Sequence, residues 1–217
     1  MAIPALVAAL DDSDREVRSA ALGALANFDR GVPAAPVRRM LGSEDADTRQ
    51  EAIEMLGEMH DRESLPAIAR LVADPDADVR QSAIQALSEI RDPSSAAAVA
   101  TALGDADANV RQEAIQAMHE LGGAIPEAQL ARLLADPSAD VRQEATCYVS
   151  ERHVTTAVPA VIRLLDDTSS DVRQQAAETL AELKTPESHA ALKRALNHAD
   201  PKVRRIAVEY FGDEGDQ

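Results

Sequence analysis

Apolar residues recur at intervals of three and four along most of the chain, in short stretches separated by turns rich in aspartate. In residues 64–90 the first stretch places Leu65, Ile68, Leu71 and Val72 on one face, which predicts an amphipathic helix. The link ADPDAD follows, and its carboxylates can cap the N-terminus of a second helix. The apolar positions of that second helix are Val79, Ala83, Ile84, Leu87 and Ile90. The pattern therefore predicts a helical hairpin, whose helices we call helix A and helix B.

The hairpin pattern repeats every 31 residues. In each copy an arginine near the start of helix B follows a valine, or Thr48 in the second copy, and an alanine comes three positions later. The arginines are Arg18, Arg49, Arg80, Arg111, Arg142, Arg173 and Arg204, and the alanines are Ala21, Ala52, Ala83, Ala114, Ala145, Ala176 and Ala207. Seven copies without an insertion or deletion predict a stacked array of equivalent units.

Neither helix of a hairpin can bury its apolar face alone, so helix A must pack on helix B and each hairpin on its neighbours. The chain is therefore predicted to be all-α, a right-handed α-solenoid of seven hairpins with about fourteen helices. One solenoid is assigned to residues 1–212 and an acidic tail to 213–217. The predicted units are 1–29, 30–60, 61–91, 92–122, 123–153, 154–184 and 185–212. Because the repeated alanine lets helices approach closely, a large residue at Ala114 is expected to overpack its layer.

Each unit combines a few residue types in a fixed register. The third unit has Pro66 in helix A, Asp74 at the turn, and Val79 and Arg80 early in helix B. In this register the chain resembles the HEAT-repeat family, in the short variety named after the phycobilisome-lyase HEAT-like repeats, and the likeness spans residues 3–212. Departures from the family pattern occur at Ala35, Ala97, Ala128 and Ala190 in place of proline, and at Ser43 and His198 in place of the turn aspartate.

The resemblance implies that helix B faces the concave surface and that the turn aspartates and repeated arginines form a structural ladder between units. The aspartates of this ladder are Asp74, Asp105, Asp136 and Asp167, and its arginines are the seven repeated ones. The arginine also lies near the edge of helix B's apolar stripe, so its guanidinium is expected to reach the turn aspartates, for example Arg111 with Asp105 or Asp107. A structural role is therefore predicted for these arginines.

The polar side of helix B carries rows of amides and carboxylates at one, two, five and nine positions after the repeated arginine; we call this surface the helix-B face. Stacked units align these rows, which can hydrogen-bond an extended or helical partner and attract basic residues. The candidate partner-binding residues are Gln81, Ser82, Gln85, Gln112, Glu113, Gln116, Gln143 and Glu144. The alternative is a solvated face without a partner, because glutamine and glutamate are also good helix formers.

Charge narrows the choice of partner. Acidic residues outnumber basic ones 38 to 22, giving a net charge of -16, which repels nucleic acids and anionic membranes and favours a basic protein or peptide. Arginine outnumbers lysine 19 to 3, so an alternative source of the acidity is adaptation to high salt. The N-terminal apolar run is broken by Pro4 and too short for a membrane span, and we expect a cytoplasmic protein.

The sequence offers no catalytic constellation, and we expect no cofactor and no metal. Cys147 is the only cysteine, which excludes an intramolecular disulfide, and no base adjoins it in sequence. HEAT-like enzymes that bind iron are expected to carry His-Glu pairs early in helix B, where this chain has Gln50-Glu51, Gln81-Ser82 and Gln112-Glu113. The absence of tryptophan and of a basic cleft disfavours a nucleic-acid enzyme.

The leading hypothesis is a non-enzymatic scaffold that binds a protein or peptide on the concave helix-B face. Two alternatives stay open. One is a phycobilin lyase or another chromophore-handling protein, which the resemblance suggests although no residue marks a bilin site. The other is a designed or consensus-derived binding scaffold, suggested by the seven units without an insertion or deletion.

Overall fold

The computed structural model describes residues 2–28 and 31–215, and side chains up to Gly212. This part of the chain contains fourteen α-helices, several short 3-10 turns and no strand. The helices are α1 (Ala2–Ala9), α2 (Arg15–Ala26), α3 (Ala34–Met40), α4 (Ala46–Glu58), α5 (Leu65–Leu71), α6 (Ala77–Ile90), α7 (Ala96–Ala102), α8 (Ala108–Glu120), α9 (Glu127–Leu133), α10 (Ala139–Glu151), α11 (Val158–Arg163), α12 (Ser170–Leu183), α13 (Pro186–Ala195) and α14 (Pro201–Gly215). Odd-numbered helices are the A helices and even-numbered ones the B helices, so the predicted all-helical repeat is confirmed.

The chain divides into two compact units, Met1–Gly123 and Ala124–Gln217. The first holds four hairpins, from α1/α2 to α7/α8, and the second holds three, from α9/α10 to α13/α14. Within the first unit α4 packs on α6 and α6 on α8, and within the second α10 packs on α12 and α12 on α14. Each unit is therefore built by stacking B helices on their sequence neighbours.

Local chemistry explains where the helices begin. Pro66 lies in the first turn of α5, where its missing N–H costs no helical hydrogen bond. Asp76 is the N-cap of α6, and its carboxylate accepts a 2.9 Å hydrogen bond from the backbone N–H of Asp78. The apolar stripe predicted for this helix is buried as expected, with Val79, Ala83, Ile84, Leu87 and Ile90 all at most 4% exposed.

B helices end at a left-handed residue that recurs with the repeat. His60, Arg91, His153 and Lys184 have φ values of 50 to 55°, and Gly122 has φ 71° in the same register. Only glycine adopts this conformation without strain, so the side chains at the other four positions cost stability. His60 and His153, which occupy the same position of the repeat, are therefore residues that end a helix. The Nδ1 atom of His60 lies 2.8 Å from the carbonyl oxygen of Gly57.

Small residues set the spacing between neighbouring B helices. Ala83 and Ala114 are fully buried. Gly57 of α4 lies so close to α6 that an added Cβ would be 3.2 Å from the Cα of Ala86. Close approach at these positions leaves no room for larger side chains.

The last helix and the remaining segments complete the fold. α14 continues to Gly215, so residues 213–215 of the predicted acidic tail are helical, and residues 216–217 lie outside the described residues. None of the described helices has both the length and the apolar character that crossing a membrane requires.

Candidate partner-binding face

The candidate binding residues lie on three B helices. Gln81, Ser82 and Gln85 are on α6, and Gln112, Glu113 and Gln116 are on α8, both in the first unit. Gln143 and Glu144 are on α10 of the second unit. The exposed members are Gln85 and Gln116, and the half-buried ones are Gln81, Gln112, Glu113, Gln143 and Glu144.

The expected exposure of Ser82 was wrong. Ser82 is only 7% exposed, and its hydroxyl donates a 3.3 Å hydrogen bond to Oε1 of Glu54 on the preceding B helix. The reason is the close packing of α6 on α4, which covers the short side chain of Ser82. Ser82 therefore holds a neighbouring carboxylate in place and is not available for contact with a partner.

The repeated arginines bind the turn aspartates of the following hairpin. Nε and Nη2 of Arg49 donate to Oδ2 and Oδ1 of Asp74 at 2.9 and 2.7 Å, and Arg80 binds Asp105 in the same way at 2.8 Å for both bonds. In the second unit Arg142 binds Asp167 with two bonds of 2.7 Å. These bidentate pairs join one hairpin to the next.

The same arginines also bind their own turns through backbone atoms. Nη1 of Arg80 donates to the carbonyl oxygens of Asp74 and Pro75, and Nη1 of Arg111 donates to those of Asp105 and Ala106. The expectation that Arg111 reaches Asp105 therefore holds for the carbonyl oxygen of that aspartate. The carboxylate of a turn aspartate is instead bound by the arginine 25 residues before it in the sequence, as Arg49 binds Asp74.

Where the turn aspartate is missing, the ladder changes. The turn after Arg18 has Ser43, and among the described residues the side chain of Arg18 donates to the carbonyl oxygens of its own turn, at Asp12 and Ser13. At the last turn Arg173 binds Asp200, two residues beyond His198, and this bond, with a further one from the backbone N–H of Lys202, lowers the pKa of Asp200 to about 2. Nδ1 of His198 accepts the backbone N–H of Asp200 at 3.0 Å, as Oδ1 of Asp74 accepts that of Asp76.

Hydrogen bonds between neighbouring B helices fix the carboxylates of the helix-B face. The hydroxyl of Ser19 donates to Glu51 at 3.3 Å, and the hydroxyl of Ser88 donates to Glu120. In the second unit the hydroxyl of Ser150 donates to Glu182. Within single helices, glutamine amides donate to the glutamate four positions later: Gln50 to Glu54, Gln85 to Glu89, Gln116 to Glu120 and Gln174 to Glu178.

This crowding makes ionisation unfavourable at two glutamates. Burial raises the pKa of Glu113, and the carboxylates of Glu120 and Glu89 raise it further, against a hydrogen bond from Gln81 that lowers it. Burial likewise raises the pKa of Glu51, and nearby acidic side chains add to the shift. Both residues lie on the helix-B face, so ionisation of their carboxyl groups lowers the free energy of unfolding.

Replacing Glu113 with glutamine is therefore expected to raise the urea midpoint of unfolding at pH 7. A carboxyl whose pKa is higher in the folded state stabilises the fold below its unfolded pKa and loses that contribution as pH rises through the folded pKa. The gain from Glu113→Gln should consequently vanish below about pH 4, where both versions are neutral. Urea titrations at the two pH values measure this, with Glu127→Gln on α9 as the exposed control; a lower midpoint at pH 7 would contradict it.

A small cavity opens on the helix-B face between α4 and α6. It has a volume of about 230 Å³ and is lined by Glu54, Glu58, Ser82, Gln85, Ala86 and Glu89. Three carboxylates thus surround a space large enough for the end of a long side chain. The chemistry of this lining fits a cation.

Other candidate chemistry is weak in the part of the chain that the structure describes. Burial, together with the nearby carboxylates of Glu144, Glu151 and Glu178, raises the pKa of Cys147 to about 11, so the thiol stays protonated at neutral pH and is a poor nucleophile. No group of three histidine, cysteine or acidic side chains among the described residues could hold a metal ion.

Helical hairpins stacked in a 31-residue register place the chain among the α-helical repeat proteins. The HEAT-repeat families match residues 2–32, 34–119, 66–146 and 126–212, and the chain belongs to the HEAT-repeat family. No curated protein gives a significant sequence match.

Several solved structures share the fold. The YibA protein of E. coli is 17% identical, with a TM-score of 0.64 over 95% of this chain and 91% of that one. The CpcE–CpcF complex of phycocyanin lyase from Nostoc sp. PCC7120 is 19% identical, with a TM-score of 0.59 over 96% and 92%. A designed armadillo repeat protein in complex with the peptide (KR)4 is 20% identical, with a TM-score of 0.56 over 98% and 99%. These identities establish a shared fold alone.

Proposed function

We propose that the protein is a non-enzymatic scaffold that binds a basic protein or peptide segment on its helix-B face. The contact residues in this proposal are those of the first unit, Gln81, Gln85, Gln112, Glu113 and Gln116, and the role of Gln143 and Glu144 in the second unit stays a prediction from the sequence. Ser82 is left out because it is buried against Glu54.

One observation carries this proposal. The helix-B face of the first unit holds six glutamates, and none of them forms an ion pair with a described arginine, lysine or histidine. They are Glu51, Glu54, Glu58, Glu89, Glu113 and Glu120. Turn aspartates of the same unit behave differently, since Asp74 and Asp105 each bind an arginine. The carboxylates of this face therefore keep their capacity to bind cations from outside.

The cost of holding these carboxylates together supports a basic partner. Glu51 and Glu113 both have raised pKa values, so their charged forms are disfavoured in the isolated protein. A lysine or arginine placed beside them relieves that repulsion. The designed armadillo repeat protein of similar fold was solved with the peptide (KR)4, which supports the choice of a basic peptide as the ligand.

The peptide (Lys-Arg)4 is therefore the first probe, titrated against the protein by fluorescence anisotropy. Changing Gln112, Glu113 and Gln116 together to alanine is expected to weaken binding about tenfold or more, because the change removes two amides and a half-buried carboxylate from the face. The matched control changes Thr101, Glu127 and Asn197 to alanine, which removes one carboxylate and two neutral polar groups from exposed positions elsewhere. Equal weakening in both variants would show that only net charge matters and would refute the proposed site.

A further inference from the structure

A larger cavity lies in the first unit, between the first hairpin and the second. Its volume is about 650 Å³. Most of the described residues that line it are apolar, and they come from the end of α2, the link to α3, the start of α3, and the end of α4. These apolar residues are Ala26, Phe28, Val32, Ala34, Met55 and Met59. The space is therefore large enough for a bulky apolar side chain.

The apolar lining is suited to such a side chain in two ways. Phe28 is 37% exposed, so part of its ring is in contact with water at the cavity. Met55 and Met59 have flexible side chains, which can change rotamer to fit groups of different shape. Covering this surface with an apolar side chain from a partner removes both from water, which favours binding.

Two carboxylates also border the larger cavity, and they differ in their partners. Asp61 binds Arg38 through two hydrogen bonds of 2.6 and 2.9 Å, so its charge is matched. Glu58 is exposed, and no described arginine, lysine or histidine pairs with it. A cation that arrives beside the apolar side chain therefore meets an unpaired carboxylate at the edge of the cavity.

Glu58 connects the larger cavity to the smaller one between α4 and α6, because it lines both. The smaller cavity adds two further carboxylates, one of them that of Glu89. Glu89 reaches α4 at Gly57, where an added Cβ would lie 2.6 Å from its Oε2 atom. In the next hairpin this position is Ser88, whose hydroxyl donates to Glu120, whereas Gly57 has no such donor. An apolar cavity and an acidic cavity thus adjoin at the end of α4.

We infer that the two cavities together bind a partner segment in which a bulky apolar residue lies close to a lysine or arginine. The apolar side chain enters the larger cavity, and the basic side chain reaches the carboxylates of Glu54, Glu58 and Glu89. The unpaired charge at the shared edge favours a basic segment over an uncharged apolar ligand. This inference rests on the proposed function, and it narrows the ligand from any basic segment to one with an apolar anchor.

Three labelled peptides test the inference by fluorescence anisotropy at about 0.15 M salt, where screening acts beyond about 8 Å. They are (Lys-Arg)2-Leu-(Lys-Arg)2, the same peptide with serine in place of leucine, and (Gly-Ser)2-Leu-(Gly-Ser)2. Wild type is expected to bind the basic leucine peptide about tenfold or more tightly than the serine peptide, because the leucine side chain leaves water. The uncharged leucine peptide should bind about tenfold or more weakly than the basic one.

Filling the larger cavity should remove the preference for leucine. Ala34→Leu adds three carbon atoms to the lining, and the third hairpin has Leu65 in the same register, so leucine is compatible with the repeat. Ala26→Leu fills the same space from α2. Both variants should keep the wild-type affinity for the serine peptide. Ala35→Leu is the matched control, because it makes the same change at an exposed neighbour, and it should retain the preference. Thermal melts show whether each variant is folded.

The outcomes separate this inference from the proposed function. Equal affinity of wild type for the basic leucine and serine peptides, or a preference that survives in both filled variants, would overturn the inference and leave the basic-peptide site standing. Equally tight binding of the uncharged leucine peptide would also overturn it, because the cavity would then take apolar ligands without the carboxylates. Failure of all three peptides to bind would refute the proposed function and this inference with it.

Discussion

Changing Asp74 to alanine is expected to lower the free energy of unfolding by about 3–5 kcal/mol. The side chains of Arg49 and Asp74 are only 11% and 5% exposed, and two hydrogen bonds join them. Removing the carboxylate leaves the guanidinium of Arg49 buried with two donors unpaired, and it also removes the cap on the N–H of Asp76. Urea titration followed by circular dichroism measures the loss.

Asp78→Ala is the control for this prediction, since Asp78 is exposed in the first turn of the same hairpin's helix B and no described arginine pairs with it. Its loss should cost no more than about 1 kcal/mol, from the helix dipole alone. A double change, Arg49→Met with Asp74→Leu, should recover much of the lost stability because no buried charge is left alone. Similar midpoints for Asp74→Ala and Asp78→Ala would show that the ladder does not hold the hairpins together.

Changing Ala114 to leucine is expected to destabilise the protein by about 1–3 kcal/mol. Ala114 is fully buried on α8, which packs on α6, and the methyl group there is the largest side chain that the repeat uses at this position. Three added carbon atoms must displace one B helix from the other or force strained rotamers. The urea midpoint and its slope measure the change.

Gln116→Leu serves as the control for Ala114→Leu, because it adds leucine at an exposed position of the same helix. Leucine and glutamine have similar helix propensity, so this control should leave stability nearly unchanged. Equal stability of wild type and Ala114→Leu would mean that neighbouring B helices are spaced more widely than the structure places them.

The fold could be predicted from the sequence because a fixed 31-residue period repeats both the apolar stripe and the turn chemistry. Val79, Ala83, Ile84, Leu87 and Ile90 are buried as their spacing predicts. The left-handed helix ends were not predicted, because histidine, arginine and lysine occupy four of these positions and none of them signals such a conformation as glycine does.

The direction of the arginine ladder could not be read from the residues alone. Arg111 lies six positions from Asp105 in the sequence, and only the stacking of hairpins shows that carboxylates are contacted 25 positions ahead, as from Arg80 to Asp105. The burial of Ser82 was missed for the same reason, because it depends on how closely the preceding B helix approaches. Contacts between units require the packing geometry, which spacing within one unit does not contain.

The most direct test of the helix-B face is affinity capture from an extract of the source cells. Wild-type protein, the Gln112/Glu113/Gln116 triple-alanine variant and the Thr101/Glu127/Asn197 control are immobilised side by side at matched salt, and retained proteins are identified by mass spectrometry. We expect a protein with an exposed basic segment to be held by the wild type and the control, and lost from the triple-alanine variant. Equal retention on all three, or no retained protein, would contradict the account.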